Sequence, residues 1–169
     1  MSDNVEQKAD GTVAERLARA VKAYADSHRA KSKSVFLMDD VRDVVDLHKR
    51  RYATVSPDER LLLAVNKSIT GCVGGYGWSG LLVTDRKVYW RCLRDSFFSS
   101  LIARSVKGEM PLEAVKSMAI GKHDHCYGTN YVGHQLVVNG KVVGLLRMGG
   151  GILYDEDAIN ELSDIFKAL

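Results

Sequence analysis

The stretch Ser56–Leu93, SPDERLLLAVNKSITGCVGGYGWSGLLVTDRKVYWRCL, decides how the rest of the chain is read. Ser56-Pro57-Asp58-Glu59 has the form of a helix start, with proline at the first helical position and glutamate three residues after the serine. The apolar run Leu61–Val65 follows at once, so a single turn leading into a strand is expected. Gly71, Gly74, Gly75, Gly77 and Gly80 make the next loop permissive. Gly80–Thr84 and Lys87–Leu93 are then two runs of β-type residues around Asp85-Arg86, which predicts a hairpin. Val88, Trp90 and Cys92 alternate with Tyr89, Arg91 and Leu93, and the arginine in the second set assigns the first set to the core.

Toward the N-terminus, helical periodicity replaces alternation. Residues 1 to 11 are polar and read as a disordered or adaptable lead. Thr12-Val13-Ala14-Glu15 fits a capping box, and Val13, Leu17, Ala20, Val21 and Tyr24 make one apolar stripe on a helix running to about His28. Arg29–Ser34, RAKSKS, is a polar, basic connector. A second helix starts at Asp39 or Asp40, with the stripe Val41, Val44, Val45, His48 and Tyr52 and a possible pair of Asp46 with Arg50 one turn on. The short link predicts an antiparallel helical pair whose stripes pack together or against the following sheet. His48 reads as a packed histidine. Lys49-Arg50-Arg51 suits a last helical turn, where cations offset the dipole, and also offers a docking site for an acidic partner.

Toward the C-terminus the elements shorten. Residues 95 to 109 could be strand or helical turn, Met110–Glu113 is a loop or short turn, and a strand follows at Val115–Ile120. Gly121–Asn130 is a polar loop. Gly133–Val138 and Lys141–Arg147 flank Asn139-Gly140, whose two positions suit a tight hairpin turn. That turn would pair Leu136 with Val143 and His134 with Leu145 on the core side. Gly149–Gly151 ends the sheet, and a last helix from near Asp155 carries Ile159, Leu162, Ile165, Phe166 and Leu169 on one stripe.

Composition narrows the function classes. With 169 residues, 46% hydrophobic and 27% charged, the chain is one soluble globular domain with an appendage. A net charge of +3 is too mild for a nucleic-acid field. No apolar run is long enough to span a bilayer, and the N-terminus lacks the apolar segment of a secretory signal. Cys72, Cys92 and Cys126 are odd in number and widely spaced, so free thiols and a cytoplasmic location are expected.

No sequence motif compels catalysis. His123 and His125 would point the same way in an extended segment, with Cys126 adjacent, but a zinc site would need a fourth ligand from elsewhere. Neither glycine run is a nucleotide loop: the first lacks a Gly-Lys-Ser/Thr ending and meets a strand. The second precedes a helix whose first turn holds Asp155, Glu156 and Asp157, which repel phosphate. No metal, cofactor or catalytic residue is therefore assigned. The residues assigned to binding are Tyr76, Trp78 and Lys67, because glycine-flanked aromatics can anchor a partner or a membrane interface, although they could equally fold back on the sheet.

From Ser56 to Leu169 the chain resembles a bacterial pleckstrin-homology-like domain related to GRAM domains. Pro57-Asp58-Glu59, Gly80–Asp85, Tyr89-Trp90, Asn139-Gly140 and the stripe Ile159–Leu169 carry the likeness. The resemblance implies an α+β fold: a partly open antiparallel β-barrel plugged by a C-terminal helix, preceded here by the helical pair of residues 1–55. It implies a non-catalytic interaction module, not an enzyme. Such a module would bind a protein segment along a sheet edge, with self-association through the N-terminal helices possible. Peripheral lipid binding through the 67–79 loop is the alternative. Inositol-lipid binding is not implied, since the loop offers only Lys67.

Overall fold

The computed structural model describes residues 11–27, 35–68, 78–93, 105–123, 133–146 and 156–169. The chain is α+β. Helix α1 spans Val13–Ser27, followed by the short strand β1 (Val35–Leu37), a 3-10 turn at Met38–Asp40 and helix α2 (Val41–Arg51). Strands β2 (Leu61–Ser68), β3 (Trp78–Thr84), β4 (Lys87–Leu93) and β5 (Ser105–Pro111) come next. A 3-10 turn at Leu112–Ala114 leads to β6 (Met118–His123), β7 (Gly133–Val138), β8 (Lys141–Leu146) and helix α3 (Glu156–Phe166).

All strand pairs are antiparallel. One sheet runs β1-β2-β3-β4, with β5 on β4, and the other runs β8-β7-β6. They meet at Leu93, which faces Ser105 of β5 and Leu145 of β8. No closed barrel forms among the described residues, since β1, β5 and β6 each pair on one side only. The 80–93 hairpin has the expected ladder, with Gly80 opposite Arg91 and Val83 opposite Val88.

The start of α1 has a local cause. Thr12 N donates to Glu15 Oε2 at 2.8 Å and Glu15 N donates to Thr12 Oγ1 at 3.2 Å, so the capping box forms reciprocally. Leu17, Ala18 and Val21 of α1 then enter a core with Leu63, Val65, Leu81, Val83, Val88, Trp90 and Cys92. Leu162, Ile165 and Phe166 of α3 join the same core, as do Met118, Ile120, Leu136 and Leu146 from the second sheet. Arg16 ties the chain's two ends together: its Nε donates to the Ala168 carbonyl at 3.2 Å, beyond the last turn of α3.

Two readings of the sequence need correction, and one alternative is decided. Of the two packings open to the N-terminal helices, the second holds: their stripes pack against the sheet and not on each other. They cover opposite faces of β2–β4, with Val41, Val44 and Val45 of α2 packed on Ala64, Leu82 and Tyr89. As a result both faces of β4 are buried, and Tyr89 is as fully enclosed as Val88 and Cys92. Alternation marks a single core face only when the other face meets water, and here α2 covers it.

The second correction is one of register. Asn139 (φ 51°) and Gly140 (φ 75°) make the expected turn and Val138 faces Lys141. The ladder then slips between Leu136 and Val137, so Leu136 faces Gly144 and His134 faces Leu146. Gly144, at φ 147°, supplies the conformation this bulge requires. Leu146 rather than Leu145 is therefore fully buried. β1 was also unforeseen, because three residues are too few to show a period; it lines β2 with Val35 opposite Val65.

Candidate functional site

Of the residues assigned to binding from the sequence, Tyr76 lies outside the described residues. Lys67 and Trp78 end β2 and begin β3, with Lys67 opposite Ser79 and Ser68 opposite Trp78. The backbone thus brings Lys67 and Trp78 to one end of the ladder, while their side chains lie outside the described set. His125 and Cys126 are outside it as well, and His123 is placed only as the last residue of β6, opposite Gly133. No group of three His, Cys, Asp or Glu that could hold a metal occurs among the described residues.

The hairpin motif instead builds a polar clasp at the turn end of β3 and β4. Glu59 is held in the 56–59 turn, where its Oε1 accepts from Ser56 N at 3.1 Å. Its carboxylate then accepts from Thr84 Oγ1 at 2.7 Å and from the Tyr89 hydroxyl at 3.0 Å. The same tyrosine proton has a second acceptor, the Thr54 carbonyl at 2.9 Å. Thr84 Oγ1 in turn accepts from Lys87 N at 2.9 Å, closing the turn. Beside it Asp85 Oδ1 accepts from Arg60 N at 2.9 Å and Arg86 pairs with Asp58 at 2.6 Å. Lys87 reaches Glu109 at 2.7 Å. Burial, together with the Glu59 carboxylate, holds the Tyr89 hydroxyl protonated well above its ordinary range. Every acid in the Pro-Asp-Glu and Thr-Asp motifs is thus occupied in joining two turns.

A second polar group lies at the C-terminal end of α2. His48 is enclosed, with Nδ1 2.7 Å from the Tyr52 hydroxyl. Burial pushes its pKa down to about 4, so the ring is neutral at ordinary pH. Burial likewise raises the Tyr52 hydroxyl well above its usual range. Arg91 of β4 sits close to both Tyr52 and Arg51, and its charged form is disfavoured first by burial and then by the neighbouring Arg51. Cys92, on the other face of the strand, is pushed up to about 12 by burial and is a packing residue.

The remaining feature is the set of strand edges left open among the described residues. Of these, β6 lies alongside α3, and its Met118 and Ile120 share a core with Leu162 and Ile165. The 114–118 approach to β6 is held by Asn139, whose Oδ1 accepts from Lys116 N at 2.7 Å and whose Nδ2 donates to Ala114 O at 2.9 Å. Trp90 lies over Gly108 in the middle of β5, where any Cβ would collide with the indole. Nothing in the sequence signals that Arg51 acts on Arg91, because the two arginines are far apart in the chain; a basic helix end was the only trace.

Compared with protein families, with curated proteins and with solved structures, the chain matched none.

Proposed function

We propose that this protein is a non-catalytic interaction module of the pleckstrin-homology-like class, which binds an extended protein segment along the open edge of β6 beside α3. The observation that carries this reading is the edge itself. An unpaired strand presents a row of backbone donors and acceptors, and an added strand satisfies them while side-chain pockets supply selectivity. The neighbouring α3 would form the wall of that groove, and the Asn139 tether holds the strand's entry in place. The commitment of Asp58 to the Arg86 guanidinium, of Glu59 to hydroxyls and of Asp85 to a backbone N–H also favours binding over chemistry.

The order of elements after Ser56 supports the class assignment: strands, an Asn-Gly hairpin and a closing helix. A peptide selected from a random display library against the full chain, followed by amide hydrogen exchange, tests the site. Slowed exchange confined to residues 118–123 and α3 is expected. Failure to enrich any peptide, or protection confined to other elements, would refute the reading.

A further inference from the structure

We propose that Arg51, Arg91 and Lys107 form an anion site that takes a phosphate group, on the sheet face covered by α2. These three cations come from α2, β4 and β5, and the fold brings them together. Arg91 and Lys107 are direct partners across the β4–β5 ladder, so their side chains leave the sheet on the same face. That face also carries Tyr89, on which α2 packs, and α2 ends at Arg51.

The arrangement is electrostatically unfavourable as it stands. Like charges directly opposite in a ladder repel, and Arg51 adds a third. Four exposed cations are paired with acids: Arg86 with Asp58, Lys87 with Glu109, Arg42 with Asp39 and Lys167 with Asp164. Among the described residues Arg91 has no acid in an ion pair, and its Nε–H is buried without an acceptor. A buried donor without an acceptor is costly, and a negative charge held beside the guanidinium offsets that cost.

The geometry of the donors selects the ligand. Guanidinium forks match the oxygens of a tetrahedral oxyanion, and they do so better than an ammonium can. Three cations suit a doubly charged group. A phosphate monoester or a phosphorylated headgroup has that chemistry, and a single carboxylate does not. The site is separate from the β6 edge, lying on the first sheet rather than the second, and it does not depend on the peptide-binding reading.

The test titrates the full chain with inorganic phosphate and pyrophosphate while following the arginine Nε–Hε resonances. In parallel, flotation uses phosphatidylcholine vesicles with and without phosphatidic acid. The variants are Lys107→Glu, an exposed change, and Arg91→Lys, which keeps the charge and removes the fork. Saturable shifts of Arg51 and Arg91 with the soluble anions are expected. Arg91→Lys should weaken binding by at least about tenfold, the worth of one charge-assisted hydrogen bond, and Lys107→Glu should weaken it similarly. Binding to the phosphatidic acid vesicles alone, with the same dependence on both variants, supports the site and assigns its phosphate to lipid. Absence of binding to every probe overturns the proposal. So does binding that Arg91→Lys leaves unchanged, since that would be net charge and not a site.

Discussion

Lys87 and Arg91 stand on one strand, on one face, four residues apart, yet their surroundings are opposite. Lys87 lies at the clasp, where it pairs with Glu109 and where Glu59, Thr84 and Tyr89 pair with one another or with backbone. Arg91 lies on the face that α2 covers, where its ladder partner is Lys107 and Arg51 disfavours its charged form. The first end is satisfied internally and so contributes to stability. The second end is left with surplus positive charge, a condition that stability alone would not favour. The contrast separates residues that build the fold from residues available to a ligand.

Acidification should act most strongly, and through the Arg91 end. His48 has a folded pKa of about 4 against an ordinary 6.5, so between these values only the unfolded chain takes up its proton. The stability it contributes is complete above pH about 6.5 and is lost progressively as pH falls toward 4, by about 3 kcal/mol in all. Urea denaturation at pH 7 and pH 4.5 should show this loss, and His48→Gln should remove about one proton from the slope. An unchanged slope would place the acid sensitivity elsewhere.

The clasp is the next to break. Glu59→Ala leaves Thr84 and Tyr89 with one acceptor fewer each and should cost about 2 kcal/mol in denaturant midpoint analysis. Thr84→Val removes the acceptor of Lys87 N and should cost about 1 kcal/mol. If both variants matched the wild type, the clasp would be a surface feature without energetic weight. The smallest effect has the opposite sign. Lys107→Glu places an acid across from Arg91 and should stabilise the free protein by about 0.5 kcal/mol. A gain in stability together with lost phosphate binding would mark the wild-type lysine as kept for a ligand.

Much of the architecture was legible in short stretches. Thr12 and Glu15 announce their reciprocal cap, Asp85-Arg86 and Asn139-Gly140 announce their turns, and Leu162, Ile165 and Phe166 announce the buried stripe of the last helix. The β8 register was not legible, because a bulge shifts one strand by one residue and Gly144 tolerates it without any local signal. Tyr89 was misassigned because its burial depends on α2, which comes from another part of the chain. The predicted binding trio shows the same limit. The ladder places Lys67 and Trp78 at one end, while Tyr76 lies outside the described residues.

The sequence by itself determined where the chain turns, where it is helical and which period each segment follows, since those depend on backbone propensities within a few residues. Only the tertiary structure decided that helices α1 and α2 would cover opposite faces of one sheet, that the motif acids would close a clasp, and that Arg91 and Lys107 would stand opposite each other on the face α2 covers. Those outcomes depend on contacts between residues tens of positions apart, and their energies come from burial and charge in the assembled fold rather than from any local pattern.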